Sequence, residues 1–445
     1  MRKSSHNIQI FKDRRAQLKP KISGSALILH SHPEYIRNND VHHGYRQDSN
    51  MFYMTGFEEP ESIFIFRPGQ SPETILFVRP KDQERETWDG FRYGPAGAAS
   101  EFSIDQCYLI SEFEEKAVEL LKTVDKLYHQ WGINSHFDNE ILTLIQGVRA
   151  SHGRSGRGVL PLYDARELLG ELRLKKSPEE ITNVRKACEI TCEAHCEVMR
   201  FAKPGVTENQ LHGVFLGASM LLGAKREGYG GIVATGANAT TLHYVFNDQV
   251  CKDGDLLLID AGAEFNYFTG DITRDLPVNG KFSAAQKTIY SGVLQVQKKL
   301  IEMVKPGLEF QKLQETTIEM LTDVMLDLKL LRGNRAELIK NLDYKKYYMH
   351  GVSHYLGMDV HDAGLYLVGG EPRRIEPGFL FTVEPGLYIP ANDESAPKEF
   401  RGIGVRIEDN ILVTNTGYEN LTTGVPKEIS EVESMMAQEP KFFRT

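Results

Sequence analysis

Five residues in the last two-fifths of the chain have the types and the setting to bind metal: Asp260, Asp271, His354, Glu384 and Glu408. They stand in short, Gly-punctuated, strand-like segments: LLLIDAGAEF, FTGDITRDLPV, HGVSHYLGMDVHD, FLFTVEPGLYIP and GVRIEDNILV. An acid set among Leu, Ile, Val and Phe is a buried charge, and a buried charge must be paired or bind a metal. Four carboxylates carry the charge that two divalent cations neutralise, so the set suggests a dinuclear site. Its oxygen-rich, sulfur-free donors suit hard or borderline ions, Mn2+ first, then Co2+ or Zn2+. Two such ions about 3.5–4 Å apart share a water and lower its pKa, which is equipment for hydrolysing an amide or a phosphoester.

Each segment also admits a plainer reading. Asp260 and Asp271 flank a hairpin expected to turn near Phe265-Asn266-Tyr267. Facing residues there would sit within about 5.5 Å between Cα atoms. Two carboxylates that close repel without a cation between them; otherwise they are turn-flanking aspartates. Glu408 is an acid inside an apolar strand, with Arg406 on the same face by alternation, and the plainer account is a local Arg–Glu pair. Glu384 precedes Pro385, which ends regular pairing, and would otherwise be an edge-strand charge. His350, His354 and His361 fall within twelve residues. The first two mimic the H-x-x-x-H of zinc proteases, but Gly351 and Gly357 argue against a long helix, and the Glu of H-E-x-x-H is missing. Three histidines among glycines favour a site, because His is the usual ligand and proton carrier.

These segments need a scaffold. Up to about residue 172, strand-like ALILHS, SIFIFRP and ETILFVRP alternate with helix-like EFEEKAVELLKTVDKLYHQW, the pattern of an α/β domain. ARELLGELRLKK is a charged helical segment. Ser177-Pro178-Glu179-Glu180 then opens a helix with a capping box and Pro at its first position. Pro204-Gly205 stops that helix, and a second begins at Thr207. From about 228 the texture is β-rich and turn-rich, interrupted by helical stretches near 283–304 and 309–330. The expected architecture is an α/β N-terminal domain over residues 1–174. An α+β C-terminal domain, helices on a curved, mostly antiparallel sheet, covers 175–445. SHGRSGRGVLP, residues 151–161, lacks the context and Gly-Lys-Ser/Thr ending of a P-loop and reads as a surface loop.

The chain of 445 residues has a formal net charge of −9, which argues against a broad basic nucleic-acid surface. The N-terminus lacks the apolar core of a signal peptide, and no apolar run approaches a membrane span. Five sparse cysteines, Cys107, Cys188, Cys192, Cys196 and Cys251, suggest reduced thiols in the cytoplasm. Cys188, Cys192 and Cys196, with His195 beside them, recur every four residues. That spacing makes one helical stripe of small core residues rather than a zinc knuckle.

IDAGAE, TGDITR, HGVSHYLGMDVHD, TVEPGLYI and RIEDN resemble, in order and spacing, the five ligand motifs of the aminopeptidase P (Xaa-Pro aminopeptidase) family of pita-bread metallopeptidases. NNDVHHGYRQDSNMFYMTGFEEPES resembles that family's non-catalytic creatinase-type N-terminal domain. The resemblance covers nearly the whole chain. It implies an exopeptidase that releases the N-terminal residue from peptides with proline second, using a hydroxide bridging two divalent metals. Asp260 would chelate one metal, Asp271 and Glu408 would bridge both, and His354 and Glu384 would complete the second. His361 would stabilise the tetrahedral intermediate or steer the scissile carbonyl, His243 would contact the substrate near the scissile bond, and Glu384 would shuttle the proton. His350, Tyr388 and Arg406 would line the pocket for proline, with Tyr388 as an apolar wall. A homo-oligomer, dimer or tetramer, is implied as well. Creatinase lacks the acidic set, and methionine aminopeptidases normally lack so large an N-terminal domain. Prolidase, restricted to Xaa-Pro dipeptides, shares the ligands and is the nearest alternative. A non-catalytic binding protein on the same fold is a remote one. Trp88, in TWDGFRYGPAG, would either reach an active-site rim or decorate an exposed loop.

Overall fold

The apolar runs SALILH, IFIF and TILFV form the strands Ser25–His30, Ile63–Phe66 and Thr74–Val78 in the computed structural model, which describes residues 7–443. Every residue of these three strands is buried, as expected where both faces of a sheet are covered. They belong to a six-stranded mixed sheet. Its spatial order is Gln106–Leu109, Thr74–Val78, Ile63–Phe66, Ser25–His30, Lys126–His129, Leu162–Asp164. Ser25–His30 runs antiparallel to Ile63–Phe66 and parallel to Lys126–His129. Phe113, Ala117 and Leu121 from one helix and Phe137, Ile141, Leu144 and Ile145 from another complete the core. The stretch 112–131 is not one amphipathic helix. It is a helix over Phe113–Leu121 followed by the strand Lys126–His129. A pairing distant in sequence, with Ser25–His30, decides the second half where local periodicity could not. Trp88 lies on the short helix Gln83–Asp89, 81% exposed.

The chain divides into two compact units between Leu172 and Arg173. The second unit opens with helix Pro178–Phe201. Its capping box is closed on both sides: Ser177 N–H donates to Glu180 Oε2 (2.7 Å) and Glu180 N–H to Ser177 Oγ (3.3 Å). Helix Glu208–Leu221 repeats the device with Thr207 and Gln210. Helices Ala284–Met303 and Gln311–Asp327 fill the later helical stretches. Cys188, Cys192 and Cys196 are buried on the first of these helices, and all five cysteines are unpaired.

The strands of this unit pair antiparallel throughout. Leu256–Ala261 lies between Ile232–Thr235 and Ile272–Pro277. Leu380–Val383 pairs with Asp409–Val413, and Gly386–Ile389 with Ile403–Arg406. Among the described residues no helix is long and apolar enough to cross a membrane.

Candidate active site

The turn between the two aspartates is a two-residue one. Asn266 and Tyr267 carry φ of 49° and 70°, which matches the twist of flanking strands. That centre sets the register: Glu264 faces Thr269 and Asp260 faces Thr273. Asp260 and Asp271 are therefore not directly opposed, and Asp271 lies just outside the strand Ile272–Pro277. The backbones close up where the hairpin changes sheets. A Cβ on Gly262 would stand 1.9 Å from the Gly270 carbonyl oxygen, so only glycine permits the approach.

The two carboxylates meet instead at Tyr229, whose hydroxyl lies 2.6 Å from Asp260 Oδ1 and 2.5 Å from Asp271 Oδ1. Asp271 is held through its backbone. The Asn410 side chain accepts from Asp271 N–H at 2.9 Å and donates to Asp271 carbonyl oxygen. Glu408 Oε2 accepts from Thr273 Oγ1 at 2.6 Å. Thr273 Oγ1 in turn accepts from Arg406 Nε (3.1 Å), while Arg406 Nη2 donates to Asp260 Oδ2 (2.7 Å). Arg406 and Glu408 are thus joined through Thr273 rather than as a pair.

His354 lies in an irregular segment between Gly351 and Gly357. Its Nδ1 bonds the Tyr355 carbonyl at 3.1 Å, and its Nε2 sits 3.4 Å from both Asp271 Oδ2 and Glu384 Oε1. A carbonyl partner at Nδ1 leaves Nε2 turned to the two carboxylates, where it could serve as a ligand atom. The His361 ring packs edge-on against His354, centroids 4.5 Å apart. The turn after His361 is anchored by Asp362, which is buried and takes Lys176 Nζ at 2.8 Å and Arg173 Nη2.

Asp260, Asp271, His354, Glu384, Glu408, His243, His350, His361 and Arg406 line one cavity of about 450 Å³. Tyr388 does not line it. It is 1% exposed and stands behind, its hydroxyl 2.9 Å from His350 Nε2 and 3.1 Å from Arg406 Nη1. Since the guanidinium only donates, the hydroxyl accepts from Arg406 and gives its proton to His350. His350 Nδ1–H then donates to the Gly351 carbonyl at 2.8 Å. Tyr388 thus acts through a polar hydroxyl rather than as an apolar wall. Burial, then the Arg406 charge, lower the His350 pKa to about 4 and keep this imidazole neutral.

The electrostatics ask for more positive charge than the side chains supply. Burial raises the Glu384 pKa to about 7, with His354 and Arg406 only partly opposing it. Burial, then the charges of Asp271 and Glu384, raise Glu408 well above its ordinary value. Burial disfavours a charged His354, yet Asp271 and Glu384 outweigh it and lift its pKa to about 9. Asp271, His354 and Glu408 each offer a ligand atom within 4.8 Å of one another. Buried acids that attract a proton to a histidine in this geometry also suit a divalent cation. The donor set therefore fits metal.

Tyr229, Thr273, Asn410 and Asp362 were not singled out from the sequence. Only Tyr229, flanked by glycines in GYGG, carried a local signal. The others act through contacts more than a hundred residues apart in the chain.

Residues 182–415 match the family description "Metallopeptidase family M24". The chain belongs to metallopeptidase family M24. Residues 11–128 of this M24 member match "Aminopeptidase P, N-terminal domain". The Xaa-Pro aminopeptidase of Haemophilus influenzae is 41% identical over 432 residues, 96% of each chain. Among solved structures, aminopeptidase PepP of Pseudomonas aeruginosa is 41% identical with a TM-score of 0.94, covering 98% of this chain and 99% of that one. Zn-substituted Escherichia coli aminopeptidase P in complex with product is 38% identical with a TM-score of 0.92, over 97% and 99%. These likenesses extend along both units of this M24 peptidase and agree with an α/β unit followed by an antiparallel α+β one.

Proposed function

We propose that this M24 peptidase is a metalloaminopeptidase that releases the N-terminal residue from peptides with proline in the second position. The observation that carries the reading is the convergence of a buried carboxylate–imidazole set with three further histidines and an arginine on one cavity. The 96% coverage by Xaa-Pro aminopeptidase relatives supports the substrate class.

In this reading Asp260 holds one metal, Asp271 and Glu408 hold both, and His354 and Glu384 complete the second. Divalent cations held by these residues would supply Lewis acidity toward a carbonyl and make a water acidic enough to ionise near neutrality. Mn2+ is the first choice for an oxygen-rich set with one imidazole, with Co2+ or Zn2+ as alternatives. Glu384, at the cavity beside His354, carries a proton toward the leaving nitrogen. His361 donates to the developing oxyanion. His243 contacts substrate near the scissile bond. Neutral His350 and Arg406, tied together through Tyr388, form the pocket for the proline ring. Proline's amide nitrogen has no hydrogen, so the pocket must recognise shape rather than an N–H.

The N-terminal unit takes no part in the chemistry of this reading. The five unpaired buried thiols support a reducing compartment, the cytoplasm. The resemblance to aminopeptidase P supports a dimer or tetramer, which light scattering would measure. The test of function is a peptide panel, Xaa-Pro, Xaa-Pro-Yaa and Xaa-Ala-Yaa, with and without Mn2+. Metal-dependent cleavage of Xaa-Pro-Yaa, with Xaa-Ala-Yaa spared, is the expected result. Turnover confined to the dipeptide would make the protein a prolidase.

A further inference from the structure

The loop from Gly236 to Gln249 links strand Ile232–Thr235 to the strand that bears Asp260, and it carries His243. Its tip is open. His243 and Val245 line the active-site cavity, and Phe246 is 77% exposed. Both ends, by contrast, converge on one side chain. Glu208, the first residue of helix Glu208–Leu221, is fully buried at 0% exposure. Its Oε1 accepts from Thr235 N–H (2.7 Å) and Asn238 Nδ2 (3.0 Å). Its Oε2 accepts from Tyr244 hydroxyl and Gln249 N–H, each at 2.9 Å. The four donors precede, enter, sit beside the tip of, and leave the loop, and Tyr244 is the residue next to His243.

A carboxylate is the side chain that can do this, because it is acceptor-only with about four lone-pair positions. Two other features narrow the loop's freedom. A Cβ on Gly404 would stand 2.1 Å from the Ala239 carbonyl oxygen, so the loop backbone is seated directly on strand Ile403–Arg406. Buried Asn247 accepts from Val233 N–H (2.9 Å) and donates to the Gly231 carbonyl (2.8 Å). Neither of these reaches the residues next to His243, whereas Glu208 does.

We infer that Glu208 is a positioning residue for His243: its carboxylate ties the loop so that the imidazole is presented to the cavity in one place. The inference rests on the proposed role of His243 in contacting substrate. Glu208→Gln keeps the size but leaves one acceptor oxygen and turns an NH2 toward two donors, so half of the tether is lost.

The experiment is a double-mutant cycle with Glu208→Gln, His243→Ala and the double variant. It is run on the full chain with Mn2+ and an Xaa-Pro-Yaa peptide, with bound metal and Tm recorded. A mispositioned contact lowers turnover steeply, so Glu208→Gln is expected to lose about 10- to 100-fold in kcat/KM. That loss should divide between kcat and KM as it does for His243→Ala, with metal content unchanged. In the His243→Ala background the same substitution should change kcat/KM by no more than about twofold. Losses that multiply in the double variant, or a Glu208→Gln enzyme as active as the parent, would overturn the inference. A fully active His243→Ala enzyme would instead overturn the role assigned to His243 and remove the tether's purpose with it. If Glu208→Gln does not fold, Tyr244→Phe removes a single donor. A loss of turnover that vanishes in the His243→Ala background supports the tether, and one that persists there overturns it.

Discussion

Tyr229 has one proton and two carboxylate oxygens in reach, at 2.6 Å and 2.5 Å. It orients Asp260 and Asp271 together, and removing it leaves two like charges without a shared donor. Partners behind a metal's ligands typically contribute 10- to 100-fold in affinity, so Tyr229→Phe should weaken Mn2+ binding by about that factor with the fold intact. Competition with a metal-binding dye measures this. Asp271→Ala and Glu408→Ala should go further and abolish turnover, and near-normal activity in either variant would show that the assigned site is wrong. His361→Ala should lower kcat by about 10²-fold, the usual loss for one oxyanion contact. What could be read in advance at this scale was any acid or histidine set among apolar residues or glycines, since such a residue is costly unless it works. Tyr388 shows the limit. Its strand position was legible, but its place behind His350 and Arg406 depends on three side chains meeting.

At the scale of elements, the helices of the second unit announce themselves through closed capping boxes at Ser177, Thr207 and Ser283. Strand registers do not. The hairpin centre was visible near Asn266, yet the register pairs Asp260 with Thr273 and leaves Asp271 two residues short of opposition to Asp260. The element that fixes the ligand strands is a buried charge cluster that no local pattern reveals. Arg274, 0% exposed, donates to the Glu408 carbonyl (2.6 Å) and to Asp409 Oδ1 (2.7 Å). Asp409 also takes Gln297 (2.8 Å) and Lys427. Burial opposes the Asp409 charge, but Arg274 and Lys427 overcome it and hold its pKa far below the carboxylate range. Removing Arg274 leaves the buried Asp409 with Lys427 as its remaining counter-charge. Arg274→Met should therefore destabilise the unit by about 3–5 kcal/mol. Denaturant unfolding reads this directly, and a variant within about 1 kcal/mol of the parent would mean that the cluster is not electrostatically closed.

At the scale of the whole chain, the fold class was legible because the two textures differ: alternating strands and helices first, then turn-punctuated strands. The response to acid was not, because it depends on how deeply single groups are buried. His195 is fully buried, with Nε2 2.9 Å from the Ala261 carbonyl and, among the described residues, no hydrogen-bond partner at Nδ1. Desolvation lowers its pKa to about 4 despite that carbonyl, whereas an unfolded imidazole titrates near 6.5. Between those values the unfolded chain binds the extra proton. The contribution of a neutral His195 is therefore complete above about pH 6.5 and falls as pH drops through the window toward 4, by about 1.4 kcal/mol per unit at most. Asp409 also has a depressed pKa in the fold, but its contribution goes only below the ordinary carboxylate range, near pH 3.9. The two groups thus act in separate intervals. In metal-stripped protein, so that ligand loss does not enter, His195→Gln should flatten the dependence of unfolding free energy on pH between 6.5 and 4 by close to one proton. Its behaviour below pH 4 should stay unchanged. The glutamine amide can still donate to the Ala261 carbonyl but cannot ionise. An unaltered slope in that interval would place the proton uptake on other groups and refute a neutral, buried His195.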